Sequence, residues 1–353
     1  MAEKVLMKGN EALAEAAICA GCRHFFGYPI TPQTELAAYM AKKMPKIGGT
    51  YLQAESELAA INMVLGASAA GVRAMTSSSS PGISLKTEGI SYLAGCDLPA
   101  LIINVQRGGP GLGGIQPSQS DYWQATKATG HGDFQILVFA PSTIQEMVDL
   151  VFLAFDLGDK YRMPAMILLD GMLGQMMEPV VLPEAGKTVV PDRPWAADGH
   201  KNKRPHNIIN SLYLDPLKLE QTNIERFKRY EKIKGTEQRC EELHTEDADI
   251  IIVAYGASSR VCRNAVAAAR AQGIKAGMIR PITLWPFPVD TIQKRLVSAK
   301  AFLTVEMSMG QMVDDVRLAV NGAKPVHFFG RTGGIIPSPP EVLEQIELIN
   351  GGI

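Results

Sequence analysis

The residues of this chain that could do chemistry gather after short apolar runs rather than in a familiar signature. Glu57 heads the stretch Leu58 to Ala70, which has no charge and is dense in Ala, Leu, Met and Gly. A helix of that composition is expected to be buried nearly all round. A carboxylate in its first turn gains from the helix dipole and loses from desolvation, a balance that suits a group trading a proton with a bound ligand. The competing reading is an exposed glutamate that only complements the dipole. Arg107 follows the apolar run Ala100 to Val105 and precedes a glycine-rich loop. There its guanidinium could grip a carboxylate or phosphate in bidentate fashion, or simply pair with a structural aspartate. Tyr28-Pro29-Ile30-Thr31-Pro32 and Ser77 to Gly82 are two more polar or proline-bounded segments that follow strand-like runs.

Other patterns are weaker. Gly109-Pro110-Gly111-Leu112-Gly113-Gly114 satisfies G-x-G-x-x-G, but Pro117-Ser118 stand where a helix should open to receive a pyrophosphate, so a dinucleotide site is rejected. Cys19 and Cys22 form one C-x-x-C inside an expected helix, with no second pair to complete a four-thiolate site, and read as core fillers. His24, His131 and His327 lack ligand spacing and read as structural. There is no H-E-x-x-H, P-loop or G-x-S-x-G, and no metal ligands are assigned in this chain.

The elements that must hold these residues follow from patterning. Helices are expected over Asn10–Cys22, Gln33–Met44, from Glu55 or Glu57 onward, and over Thr143–Gly158. Strands are expected at His24–Tyr28, Thr50–Gln53, Val72–Ser77, Ala100–Val105, Gln135–Ala140 and Pro164–Leu169. Repeated β-loop-α units with nearly all-apolar strands imply an open, mostly parallel α/β sheet covered on both faces. Ligands in such sheets gather at the carboxyl ends of strands, where the four segments above would converge. After Leu182 the composition turns to Pro, Lys, Arg, Glu and Asn. Residues 183–247 therefore read as a charged connector reaching over a neighbouring surface, with a charged helix at Leu217–Lys234. The βα pattern resumes at Ala248 and closes the chain. The expected division is 1–182, 183–247 and 248–353.

Composition narrows the class. The 353 residues are 46% apolar and 20% charged, enough for a sizeable core, and the formal net charge of −1 gives no case for nucleic acid or an anionic membrane. No window of about 18 apolar residues appears, the first residues do not read as a secretory signal, and five cysteines are too few for a disulfide framework. A soluble protein of the reducing cytoplasm is expected.

Taken together, the loops resemble the α subunit of the 2-oxoacid:ferredoxin oxidoreductases, and among these the 2-oxoisovalerate enzymes most. Gly27-Tyr28-Pro29-Ile30-Thr31-Pro32 looks like that family's Tyr-Pro-Ile-Thr-Pro motif. The likeness continues through Glu57-Leu58-Ala59-Ala60, the Thr76 to Gly82 loop and Arg107-Gly108-Gly109-Pro110, and returns at Arg280-Pro281-Ile282-Thr283-Leu284-Trp285-Pro286-Phe287-Pro288. It implies a thiamine-diphosphate pyrimidine-binding domain followed by a smaller transketolase C-terminal-like domain. It also implies oxidative decarboxylation of a 2-oxoacid to an acyl-coenzyme A, with electrons passed through [4Fe-4S] clusters to ferredoxin. On this resemblance Glu57 meets the aminopyrimidine N1′, with Pro29 and Ile30 of the Tyr-Pro-Ile-Thr-Pro motif beside the cofactor; Ser80 is placed there by its location alone. Thr31 and Arg107 contact the oxoacid, Arg107 at its carboxylate, and Leu112 and Gln116 complete the substrate loop.

Two departures sharpen the expectation. Thiamine enzymes of this type hold diphosphate and Mg²⁺ with a Gly-Asp-Gly motif, which is missing here, as are the cysteine runs of a ferredoxin domain. The resemblance therefore implies a catalytically incomplete chain. A β subunit would bring the diphosphate and Mg²⁺, and γ and ferredoxin-like δ subunits would complete the assembly with its clusters. Oxoglutarate-type relatives resemble Arg-Gly-Gly-Pro-Ser-Thr-Gly-x-Pro-Thr after the arginine, whereas Leu112 and Gln116 here replace two threonine hydroxyls. An apolar Leu112 suits a branched aliphatic oxoacid better than a second carboxylate. An oxoglutarate enzyme, a ferredoxin-independent transketolase-like enzyme and a non-catalytic scaffold are the alternatives.

Overall fold

In the computed structural model residues 4–183 and 188–352 are described; positions 1–3, 184–187 and 353 of the expected division lie outside them. The first part runs β1 (Val5–Lys8), α1 (Gly9–Cys19), β2 (His24–Gly27), α2 (Thr34–Lys43), β3 (Thr50–Gln53), α3 (Glu57–Ala69), β4 (Ala74–Ser78), α4 (Ser80–Gly95) and β5 (Leu101–Gln106). It continues through α5 (Tyr122–Thr126), β6 (Leu137–Phe139), α6 (Ile144–Tyr161), β7 (Ala165–Asp170), α7 (Gly171–Gln175) and β8 (Met177–Val180). After α8 (Pro216–Thr236) come β9 (Cys240–Leu243), β10 (Ile250–Val253), α9 (Gly256–Ala271), β11 (Ala276–Pro281), β12 (Thr283–Trp285), α10 (Val289–Arg295), β13 (Ala301–Glu306), α11 (Met312–Val320), β14 (Val326–Gly330) and α12 (Pro339–Gly352).

Two sheets carry the molecule. The larger has the order β12-β6-β7-β5-β4-β2-β3, and from β6 to β3 every pairing is parallel. All residues of β4, β5 and β7 are buried, as expected of strands covered on both faces, and each buried Leu, Ile or Val contributes roughly 1.5–3 kcal/mol. The smaller sheet, β14-β13-β10-β11-β9, is parallel except at β9. Because β2, β4 and β5 are neighbours running the same way, the loops that leave them open on one edge.

Several expectations need correction. α3 is not buried all round: Leu58, Asn62 and Gly66, four residues apart, are exposed, Leu58 by 45%, while Glu57, Ile61, Val64 and Ser68 face inward. A helix apolar on every side has no amphipathic signal to show which face the chain itself covers. Ser80-Pro81-Gly82 is not loop but the first turn of α4. Pro81 sits where a helix has an unpaired N–H to spare, and Ser79 is the extended residue before it. α1 ends at Cys19 because Gly21 takes φ +83°, so Cys22 lies beyond the helix. Its thiol is wholly buried, which pushes its pKa up to about 12. The connector helix packs on its own chain: Arg226, Tyr230 and Ile233 form its buried stripe, and Glu237 accepts from Lys160 Nζ (3.0 Å) and Tyr161 Oη (2.7 Å).

The Arg280–Pro288 motif crosses between the sheets. β11 belongs to the smaller one, yet β12 adds antiparallel to β6 at the edge of the larger. Arg280 spans the join, donating twice to Glu146 on α6 (2.8 and 3.0 Å) and once to Glu241 on β9 (2.8 Å). This buried fork fixes one sheet against the other with a planar geometry that lysine cannot reproduce.

Candidate active site

Glu57 is the first helical residue of α3. Ser56 caps the helix, its Oγ accepting from Ala59 N at 3.2 Å, which sets where the turn begins. The carboxyl is turned in, 6% exposed, against the first turn of α4. Gly82 makes the space: a Cβ there would overlap Ser78 Oγ and stand 2.6 Å from Glu57 Oε1. Around this point the buried hydroxyls of Thr76, Ser78 and Ser79 have no partner among the described residues. Buried polar atoms are paired in nearly all folded proteins, so a cluster left open beside a carboxylate marks a place shaped for something else.

Arg107 ends β5 and is held at several points. Its Nη1 donates to Thr31 O (3.0 Å) and its Nη2 to Leu112 O (3.3 Å), while Nε has no partner among the described residues. Its backbone N–H donates to Ser80 Oγ (3.1 Å), which itself donates to Asp121 Oδ2 (2.6 Å). Asn104 Nδ2 reaches the same oxygen at 3.0 Å, and Gln106 Oε1 accepts from Asp121 N. Burial pushes the Asp121 carboxyl above its ordinary pKa, opposed by the Ser80 and Asn104 hydrogen bonds. Asp121 was missed by motif reading, because a lone aspartate after a glycine loop carries no spacing; only its place fifteen residues past the β5 end hints at it.

The glycine-rich loop folds back on itself. Gly114 N donates to Gly108 O and Gly108 N to Gln116 O, and Gly113 holds φ +56° where a Cβ would overlap Gly108 O. No helix follows until Tyr122, so the loop is no dinucleotide fingerprint. Gln119 pins its end to the smaller sheet: Nε2 donates to Tyr255 O (2.8 Å), and Oε1 accepts from Ser258 Oγ (2.6 Å) and Met307 N (3.0 Å).

Two cavities flank Arg107. One of about 620 Å³ is lined by Ser80, Arg107, Ser120, Asp121, Gln311 and Thr332. The other, about 420 Å³, lies on the Thr31 side with Ile115, Gln116, Gly171 and Gln175. Thr31, Ser80 and Arg107 are thus brought together, and Glu57 stands one strand end away against Ser78 and Gly82. Pro29 is exposed and Ile30 half-buried on the same loop. Gln116 packs on Gly334 and opens to the smaller cavity rather than the larger. The Leu112 side chain is 84% exposed, and only its carbonyl serves the arginine. Among the described residues no group of three or more His, Cys, Asp or Glu could hold a metal. The arrangement can grip an anion with Arg107 and hold a proton at Glu57.

Comparison with known proteins shows the family and the fold. Residues 15–247 match the family model "Pyruvate flavodoxin/ferredoxin oxidoreductase, thiamine diP-bdg", and residues 248–342 match core domain II of pyruvate:ferredoxin oxidoreductase. The ketoisovalerate oxidoreductase subunit VorB of Methanothermobacter thermautotrophicus is 49% identical over 98% of each chain. The 2-oxoglutarate synthase subunit KorA of Methanothermobacter marburgensis is 36% identical over 98% of this chain and 99% of its own. A solved 2-oxoglutarate:ferredoxin oxidoreductase from Magnetococcus marinus, with 2-oxoglutarate, coenzyme A and succinyl-CoA bound, superposes with a TM-score of 0.88 at 26% identity. The match covers 98% of this chain and 65% of that one. A split-gene transketolase shares the fold, with a TM-score of 0.58. The chain belongs to the 2-oxoacid:ferredoxin oxidoreductases, multi-subunit thiamine-diphosphate enzymes that act on 2-oxoacids with ferredoxin.

Proposed function

We propose that this chain supplies the pyrimidine-facing half of a shared thiamine diphosphate site in a branched-chain 2-oxoacid:ferredoxin oxidoreductase. The observation that carries the reading is the inward Glu57 carboxyl in a pocket of unpartnered hydroxyls, opened by the missing side chain of Gly82. These residues fit the aminopyrimidine end of the cofactor. They offer no cluster of acids for Mg²⁺ among those described, and the sequence has no Gly-Asp-Gly. The diphosphate, Mg²⁺ and [4Fe-4S] clusters are therefore assigned to partner β, γ and ferredoxin-like δ subunits. The exposed face of α3, formed by Leu58, Asn62 and Gly66 beside the site, is the surface offered to the β subunit.

When bound, the cofactor supplies the carbanion-stabilising chemistry that lets a 2-oxoacid lose carbon dioxide. Glu57 would offer its inward carboxyl to the nitrogen edge of the aminopyrimidine, and its burial would strengthen that hydrogen bond. Pro29 and Ile30 would border the ring, and Ser80 holds the end of β5 through Arg107 N. Arg107 takes the oxoacid carboxylate with the guanidinium edge that includes the free Nε, and its ties to Thr31 and Leu112 keep the plane fixed. Thr31 is exposed on the same loop and lines the smaller cavity, where its hydroxyl would be available to the substrate.

The branched-chain assignment is supported by the higher identity to subunits named for ketoisovalerate than to those named for 2-oxoglutarate. The Leu112 side chain, 84% exposed, adds no support in this structure. The reducing cytoplasm is assigned from the five free cysteines. No helix among the described residues is long and apolar enough to cross a membrane. The test is kcat/KM of the assembled enzyme for 2-oxoisovalerate against 2-oxoglutarate. A clear preference for the latter overturns the substrate class and favours the 2-oxoglutarate reading.

A further inference from the structure

α3 and α4 run side by side in the same direction, joined where α4 lacks side chains. Gly82 admits the Glu57 carboxyl, and Gly89 admits Ile61, whose side chain a Cβ at Gly89 would overlap. Between these contacts, four residues after Gly82, α4 carries Lys86. It is wholly buried, and its Nζ has no hydrogen-bond partner among the described residues. A lysine amine in that condition costs free energy and calls for an explanation beyond packing, since a methionine would fill the same volume without it.

The surrounding charges leave one candidate for its partner. Glu57 is the sole ionisable residue of α3, and β4 and β5 carry none. Glu88, the other charged residue of α4, is exposed and bonded to Tyr92 Oη, and His131 meets Tyr92 near the far end of the helix. Burial lowers the Lys86 pKa to about 8, against the attraction of Glu57, so the amine is largely charged at neutral pH and loses its proton just above it.

We propose that Lys86 is a positioning residue for the thiamine-facing carboxyl: it makes no direct hydrogen bond to Glu57, and its buried amine draws that side chain inward, toward the Gly82 notch, by charge attraction across the α3–α4 seam. The inference rests on the reading of Glu57 given above. Contact with the cofactor or substrate is no part of the role; Lys86 acts through Glu57 alone. It makes the alkaline side of the enzyme's pH dependence a property of this buried pair.

The experiment uses the assembled complex carrying Lys86→Met, Lys86→Arg or Glu57→Gln, with assembly followed by gel filtration and kcat/KM measured from about pH 6 to about pH 9.5. The wild type is expected to lose activity with an alkaline limb near pH 8. Lys86→Met should lower kcat/KM at pH 7 by about tenfold or more and abolish that limb, because the positive charge that faces Glu57 is gone. Lys86→Arg should restore most of the rate and carry the limb beyond the measured range, since a guanidinium does not titrate there. Wild-type rate and limb in Lys86→Met overturn the proposal, as does a loss in both variants with the limb unmoved, which is a structural effect. Should Lys86→Met fail to assemble, the limb of Lys86→Arg decides: retained near pH 8, it refutes the role. Full activity in Glu57→Gln would instead sink the reading of Glu57, so the two failures are told apart.

Discussion

Gly82→Ala is the most discriminating single substitution for the geometry of the site. Inside a helix such a change ordinarily stabilises, because alanine exceeds glycine by about 1 kcal/mol in helix propensity. Here the added methyl would overlap Ser78 Oγ and press to 2.6 Å of Glu57 Oε1, nearly 1 Å inside normal contact. Overpacking of that kind costs about 1–3 kcal/mol, so the net change in stability is expected between about zero and 2 kcal/mol of loss. The cheaper relief is to swing the carboxyl out of the notch, and a displacement of about 1 Å at a catalytic group can cost about a hundredfold in rate. The predicted outcome is therefore a modest change in Tm and a fall of about tenfold to a hundredfold in kcat of the assembled enzyme. Gly235→Ala, a helical glycine with nothing within 4 Å, is the control: stability should rise by about 0.5 kcal/mol with no kinetic change. A Gly82→Ala enzyme with full activity and a raised Tm would refute the notch.

Arg107→Lys should raise KM for the oxoacid by about tenfold or more while kcat falls less, because a point charge cannot hold Thr31 O, Leu112 O and a carboxylate at once. Equal KM in steady-state kinetics would remove Arg107 from substrate binding. Asp170 caps α7 through Met172 N and Leu173 N, and burial pushes its pKa from the ordinary 3.8 to about 6. The native state then holds the proton more tightly than the unfolded chain, so this group's contribution to stability falls as pH rises from about 4 to about 6, by about 3 kcal/mol in all. Asp170→Asn keeps the cap and does not titrate, so its stability relative to wild type should grow across that window in denaturation experiments; a flat difference contradicts the shift. The isolated chain should bind thiamine diphosphate weakly by calorimetry and turn over no oxoacid, whereas robust turnover by it alone would contradict the divided site.

The main sheet was readable because β5 and β7 are nearly continuous apolar runs and α6, between them in the chain, has a threonine cap and a clear stripe. Thr31, Glu57 and Arg107 were readable as strand-end residues, and the structure does join Thr31 to Arg107. What escaped is informative. β1 and β8 pair across the whole first part, and β12 crosses back from the far side of Arg280; neither four-residue nor three-residue strand has a pattern of its own. The start of α4 was hidden because Ser-Pro-Gly reads as a turn when proline happens to fall in a first helical turn. The outward face of α3 was hidden for the opposite reason: with Asn62 its one amide and no charged residue after Glu57, composition could not separate the side this chain covers from the side left open. Asp121 and Lys86 belong to no motif, and only burial reveals them. The exposure of Leu112 corrects the reading that set its side chain against the substrate tail.

The most direct test of the central claim is a structure of the assembled enzyme with thiamine diphosphate bound, read at the Glu57 carboxyl. The account predicts a carboxyl oxygen within about 2.6–3.2 Å of the aminopyrimidine N1′, with the diphosphate and Mg²⁺ held by the partner subunit. A carboxyl that faces solvent in that map, or a diphosphate gripped by this chain, would contradict it.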